Sequence, residues 1–223
     1  MSFYAALIAS GLRPREVVAD GRWHRCPTED KPRKKNGCYL LEPGGARGVW
    51  KNYALDADWN KWESNELTTA QRVDADRRAR ELRKREAKRR IAAIQAMRAY
   101  FDTLPVLRGG HPYLEAKGLS MLGCGRLRLD GDLLVIPAYR AGWLVSVQTI
   151  SPEGEKRYRT GCPMRGAFFA LERRGAAVTC LAEGLATGLA IFQSVPLARV
   201  LVCFDLGNMV AVAGSLKTSG LVV

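Results

Sequence analysis

The chain has 223 residues, 47% hydrophobic and 26% charged, which is enough length and apolar content for one large core or two small ones and excludes a disordered polymer. Thirty-five Lys+Arg against 22 Asp+Glu leave a net charge of +13. That excess points to a polyanion, most simply nucleic acid, because clustered cations gain by releasing counterions from phosphates. No apolar run approaches the ~18–20 residues of a membrane span. The opening MSFYAALIASGLRP has no basic leader, and six scattered cysteines without a CxxC read as reduced thiols, so a cytoplasmic protein with no membrane partner is expected.

Residues 1–66 are predicted to form a small β-rich unit. MSFYAALIASGL has helical spacing, with Phe3, Leu7 and Ile8 on one face. The runs CYLLEP and GVWKNY come next, separated by turn formers at Lys35-Asn36-Gly37, Pro43-Gly44-Gly45 and Arg47-Gly48, and read as strands. Trp23, Tyr39, Trp50, Tyr53, Trp59 and Trp62 are interleaved with Arg22, Arg25, Lys31, Arg33, Lys34, Lys35, Lys51 and Lys61. Such a mixture suits a surface that holds phosphates and stacks bases. Most of these tryptophans are nevertheless expected in the unit's own core, with one or two rings left to face a ligand. His24, Cys26 and Cys38 offer three ligands at loose spacing, so zinc is not expected.

Residues 67–105 are predicted to be a long basic connector helix. Positions 68–104 contain neither Gly nor Pro, and Thr68 with Gln71 has capping-box spacing. About 32 helical residues would span ~50 Å. The first part carries Arg77, Arg78, Arg80, Arg83, Lys84, Arg85, Lys88, Arg89 and Arg90 with almost no apolar stripe. It is either a solvated connector or a nucleic-acid contact rod, in which Arg83, Arg85, Arg89 and Arg90 would touch the strand. The second part repeats Ile91, Ile94, Met97 and Phe101 at helical spacing and is expected to dock on the next domain.

Residues 106–175 read as a basic, mixed-sheet subdomain. A short helix begins at His111-Pro112 and stops at Gly118, and LRLDGDLLVIPAY and GWLVSVQTI are strands turning at Asp130-Gly131 and Ala141-Gly142. The basic segment KRYRTGCPMRGAFFAL comes next. Residues 176–223 then alternate strand and helix: VTCLA, Glu183-Gly184, a helix, VLVCF, Asp205, a helix, and the beginning of a third strand in SGLVV. That order predicts a parallel sheet with right-handed crossovers. The fold class is therefore α/β, or α+β over the whole chain. In such sheets functional groups gather at the carboxyl ends of the strands, which is where Glu183 and Asp205 stand. Neighbouring strands would let the two share a hard cation such as Mg²⁺, although Asp205 equally suits a helix N-cap.

The ordered series HPYLEAKGL, LLVIPAY, LVSVQTISPEGEKRYRTGCPMRGAFFAL, LAEGLATGLAI and FDLGNM resembles the Toprim-containing primase-like proteins of phages, plasmids and other mobile elements. It is also similar to the catalytic core of bacterial DNA primases, and WHRCPTEDKPRKKNGCYLL followed by GVWKNY resembles the front region of the same mobile-element proteins. The resemblance implies that Glu183 is the Toprim glutamate, a metal ligand or general acid/base for nucleotidyl transfer. It implies that Lys156, Arg157 and Arg159 lie by template and incoming nucleotide, and that Asp205 and Asn208 belong to an Asp-x-Gly-Asn turn beside Glu183, with Asn208 among the nucleotide-binding residues. The implied function is Mg²⁺-dependent (or Mn²⁺-dependent) synthesis of RNA primers on single-stranded DNA in mobile-element replication. Its partners would be single-stranded DNA and nucleotides, with a replicative helicase or helicase domain as a further one. The alternative is a non-catalytic module that binds single-stranded DNA or a replication partner. Two departures matter: Thr187 stands where bacterial primases have an Asp, and no Asp-x-Asp pair comes after the third strand before Val223. The chain is thus expected to be a partial Toprim unit, binding metal weakly and inactive alone.

Overall fold

The computed structural model describes residues 1–216 and 221–222. The chain divides into two units, Met1–Ala87 and Lys88–Val223, with the boundary inside a helix.

In the first unit, helix α1 (Phe3–Ala9) starts at Ser2, whose hydroxyl accepts from Ala5 N at 3.2 Å. Four antiparallel strands come next in spatial order: β1 (His24–Cys26), β2 (Gly37–Leu41), β3 (Arg47–Asn52) and β4 (Asn60–Glu63). Alternation along β2 and β3 sends Tyr39, Leu41 and Trp50 to one face, where they pack on Phe3, Ala6 and Leu7. Ile8 is only half-buried, because a face set by Phe3 continues at Ala6 and Leu7, three and four residues on; this corrects the expected stripe. Gly44 and Gly45 turn the β2–β3 connection at φ 89° and 69°, values open to glycine.

Helix α2 (Thr69–Thr103) opens on the expected capping box: Thr68 Oγ1 accepts from Gln71 N at 3.3 Å, and Gln71 Oε1 accepts from Thr68 N at 2.8 Å. Its first half packs through small residues. Ala75 and Ala79 are buried, and a methyl group on Gly44 would stand 2.8 Å from Ala75 Cβ.

In the second unit, the end of α2 buries Met97, Phe101 and Leu104 against Val135 and Val147, with Ile94 partly covered. Ile91 is 57% exposed, so the docking stripe starts one turn later than its periodicity indicates. Helix α3 (Pro112–Glu115) is capped by His111, and Gly118 leaves it at φ 66°. Strands β5 (Arg128–Asp130), β6 (Leu133–Arg140), β7 (Trp143–Ile150) and β8 (Lys156–Tyr158) form an antiparallel meander. A second sheet contains β9 (Phe169–Leu171), β10 (Val178–Ala182), β11 (Ala198–Val202) and β12 (Leu221–Val222) in the order β12-β10-β11-β9. Strands β10, β11 and β12 are parallel, and β9 closes the edge antiparallel to β11. Helix α4 (Leu185–Ser194) crosses from β10 to β11, and α5 (Leu206–Ala213) comes after β11. One apolar core joins the two sheets, from Leu114 and Ile136 to Leu185, Val200 and Phe204. The architecture is α+β with a mixed sheet, as expected. All six cysteines are free thiols, and among the described residues no helix is long and apolar enough to cross a membrane.

Candidate functional site

Strands β10 and β11 pair in parallel from Val178↔Ala198 to Ala182↔Val202, so the turns after them open at the same sheet end. Glu183 is exposed on the first turn; Asp205 is half-buried on the second. The ladder extends one step further, with Cys203 N donating to Ala182 O at 2.8 Å. The chain then bends sharply. Phe204 adopts φ 74°, a left-handed conformation that costs a bulky residue about 1–3 kcal/mol and persists only where neighbours over-determine it. Two side chains supply that restraint: Tyr158 Oη donates to Phe204 O at 3.0 Å, and Asn208 Nδ2 donates to Cys203 O at 2.7 Å.

Asp205 caps α5, its Oδ1 accepting from Asn208 N at 2.8 Å, which leaves Oδ2 free of this bond. Asn208 is 5% exposed and its amide is fully engaged: Nδ2 also donates to Ala167 O at 2.7 Å, and Oδ1 accepts from Gly166 N at 2.6 Å. Its geometry makes it a clamp on the Asp205 turn, directed at protein atoms and not at the nucleotide expected for it.

Strand β8 reaches this crest with alternate residues. A methyl group on Gly184 would stand 3.3 Å from Lys156 Nζ, which puts the ammonium beside the Glu183-Gly184 turn. Tyr158, two residues on and hence on the same side, reaches the Phe204 carbonyl. Burial pushes the Tyr158 phenol above its usual range, and the negative charges of Asp205 and Glu183 push it further. Both carboxylates thus act on one hydroxyl. Gly184 begins α4 with no side-chain cap, so the first N–H groups of that helix are free to meet an anion near Lys156. Gly188, one turn into α4, permits the helix to lie close on β11: a methyl there would come 2.5 Å from Val202 Cγ2.

The other predicted residues do not join this group. Arg157 alternates away from Lys156 and pairs with Glu155 at 3.1 Å on the surface. Arg159 lies 4.9 Å over the Tyr100 ring, in an open depression of about 470 Å³ that Tyr158, Asp130, Thr149 and Thr160 also line. On the basic stretch of α2, Arg83 pairs with Glu42 at 3.0 Å, while Arg85, Arg89 and Arg90 are exposed and have no carboxylate partner among the described residues. Tyr158 was not singled out from the sequence, although period-two alternation from Lys156 would have placed it. The left-handed turn at Phe204 has no sequence signature, since no glycine marks it.

As a cation site, the crest offers two carboxylates, the hard-oxygen donors that Mg²⁺ takes one or two of alongside water and substrate phosphates. The donor chemistry fits, with Glu183 and Asp205 Oδ2 as the groups that would hold the ion. Among the described residues no cluster of three or more His, Cys, Asp or Glu side chains forms a metal-ligand set.

No family model matches the chain, and no solved structure matches it. Among curated proteins it is similar to the DNA primase TraC of Escherichia coli, at 26% identity over 212 residues, covering 89% of this chain and 14% of that protein. The chain has a primase-like relative, of which it spans a small part.

Proposed function

We propose that this chain is a primase-like protein that holds single-stranded DNA and contributes the Glu183–Asp205 crest to Mg²⁺-dependent nucleotidyl transfer in primer synthesis. What supports the reading is that Glu183 and Asp205 stand on the turns after two adjacent parallel strands, with Lys156 Nζ beside the Gly184 turn and Tyr158 Oη on Phe204 O. Similarity to a DNA primase along 89% of the chain supports the same class of reaction. In this reading Lys156 and the free N–H groups at the start of α4 take the phosphates of the incoming nucleotide. Tyr158, hydrogen-bonded to Phe204 O, fixes the turn that presents Asp205. Glu183, exposed at its strand end, holds the ion or accepts the proton of the attacking hydroxyl. A bound Mg²⁺ or Mn²⁺ would stabilise the charge that develops on the transferred phosphoryl oxygens. Two-metal chemistry needs more carboxylates than these two, which is the part the resemblance assigns to an Asp-x-Asp pair.

A second reading, a single-stranded-DNA binding module without chemistry, is favoured by one observation: Asp205 Oδ1 is already committed to capping α5. One experiment separates the two. Mn²⁺ binding, followed by electron paramagnetic resonance, should be weak for the chain alone and tighten at least tenfold when ATP is added. Glu183→Gln should remove that gain and leave oligonucleotide affinity within twofold. A Glu183→Gln protein that takes up Mn²⁺ and ATP as the parent does would leave the binding-module reading standing.

A further inference from the structure

The first unit carries a feature that the crest does not use. Its four-stranded sheet buries one face on α1; the other face is built from the alternate residues. Register aligns Arg25 of β1 with Cys38 of β2 and Cys38 with Lys51 of β3, so two cations flank a buried thiol in one row across that outer face. Three aromatic rings lie with this row. Trp23 precedes β1 on the same side as Arg25; it is 55% exposed and lies 4.8 Å from the ring of Trp59, itself 44% exposed. Tyr53, 47% exposed, meets Trp59 edge-on at 6.4 Å, and its hydroxyl lies 3.5 Å from Cys38 Sγ.

The cations face rings instead of acids. The Arg25 guanidinium stands 4.7 Å over Tyr53, and the Lys51 ammonium stands 5.9 Å from Trp59 while donating to Ala57 O at 2.6 Å. Neither is ion-paired to a carboxylate among the described residues. Asp56, on the turn after β3, is tied to Asn52 N and Asn60 Nδ2.

Three large rings left in water cost hydrophobic free energy, while Trp50 and Trp62 of the same unit pack in its core. A core that needed more apolar surface would have taken these rings as well. Their partner is therefore sought outside the unit, and cations whose charge no carboxylate neutralises make it an anion with flat apolar faces.

We propose that Trp23, Tyr53 and Trp59, with Arg25 and Lys51, form a stacking platform for a single-stranded nucleic acid, distinct from the Glu183–Asp205 crest. Bases stack on the indole and phenol rings and backbone phosphates pair with the two cations. Stacking on rings is indifferent to base identity, so little sequence preference is expected. The proposal rests on the primase-like reading only in its choice of a polynucleotide as the ligand.

The test is fluorescence anisotropy of a labelled oligo(dT) titrated with the full chain. Trp23→Ala and Trp59→Ala should each weaken binding about tenfold, the scale of one lost base–aromatic contact, with the salt dependence unchanged. Trp59→Phe, which keeps a stacking face, should recover most of the loss. Arg25→Ala with Lys51→Ala should lower the slope of log affinity against log salt by about 1.4, near 0.7 per phosphate contact on a single strand. Photocrosslinking the unaltered chain to an iodouracil oligonucleotide should mark peptides carrying Trp23, Tyr53 or Trp59, an outcome that does not depend on any variant folding.

Ring variants of parental affinity, or crosslinks confined to residues 88–223, would overturn the platform. If Lys156→Ala then weakened binding, the primase-like reading would survive that failure. A lower melting temperature in the ring variants with affinity unchanged would show instead that the rings shield Cys38 and bind nothing. An unaltered chain that binds no oligonucleotide would remove the platform and the DNA-holding part of the primase-like reading together.

Discussion

Asn208→Ala should be among the most damaging single changes in the second unit. The Asn208 side chain ties three backbone groups from two segments: Gly166 N–H, Ala167 C=O and Cys203 C=O, at 2.6, 2.7 and 2.7 Å. The amide orientation is dictated by the partners themselves, because two carbonyls require the NH₂ end and an N–H requires the oxygen. Truncation leaves all three without that partner in a site where Asn208 is 5% exposed. An unsatisfied buried group costs about 1–3 kcal/mol, and water entering the small cavity recovers part of it, so a net loss of about 3–5 kcal/mol is expected. Such a loss is a large part of a typical domain's 5–15 kcal/mol. Released from Cys203, the strained Phe204 turn should relax and carry Asp205 with it. Urea unfolding gives the global value, and hydrogen exchange at the Gly166 amide gives the local one. Asn208→Asp should be no better than Ala, since a carboxylate oxygen would face the two carbonyls that the NH₂ group now bonds. A loss below 1 kcal/mol with Gly166 protection intact would refute the clamp.

Packing and titration each lead to a further expected outcome. Gly188→Ala should lower stability by about 1–3 kcal/mol in a thermal melt, because its methyl would press on Val202, a short side chain of a buried strand with no flexible end to move aside. Stability should also fall on the alkaline side. Burial pushes the Cys124 and Cys203 thiols from the ordinary 9.0 to about 11, with the charge of Asp205 adding to Cys203. A folded value above the unfolded one gives stability that is complete below pH ~9 and lost as pH rises to ~11, up to ~2–3 kcal/mol for each thiol. Urea midpoints measured between pH 7 and 11 test this, and Cys203→Ala should flatten part of the decline.

The parts of the fold legible in the sequence were those with a local physical cause. The long helix announced itself by a run free of Gly and Pro behind a Thr68–Gln71 box, and the parallel strands by short apolar runs that each end in an acid. Large apolar residues alone are a poorer guide. Ile8 and Ile91 fit the helical period but fall outside the packed faces, whereas Ala75 and Ala79 are buried because close approach to a glycine turn favours small side chains. Gly44 and Ala75 are far apart in sequence, and no local pattern links them. The antiparallel pairing of β9 with β11 is equally non-local: FAL has the composition of a strand, but its direction is set by where the chain enters the sheet.

The candidate site shows the same division on a finer scale. The segment Lys156-Arg157-Tyr158-Arg159 reads as one basic patch when its charges are counted, and the resemblance treats three of its cations as a set. A strand cannot present them that way. Period-two alternation sends Lys156 and Tyr158 toward the Glu183 turn and Arg157 to the opposite side, and the chain leaving β8 carries Arg159 to Tyr100. An anion at the crest therefore meets one ammonium and one phenol from this strand, together with the first N–H groups of α4. Arg157, paired with Glu155, and Arg159, stacked over Tyr100, do not share that turn. Charge alone locates a basic segment; only the backbone period divides its cations between the two sides of the strand.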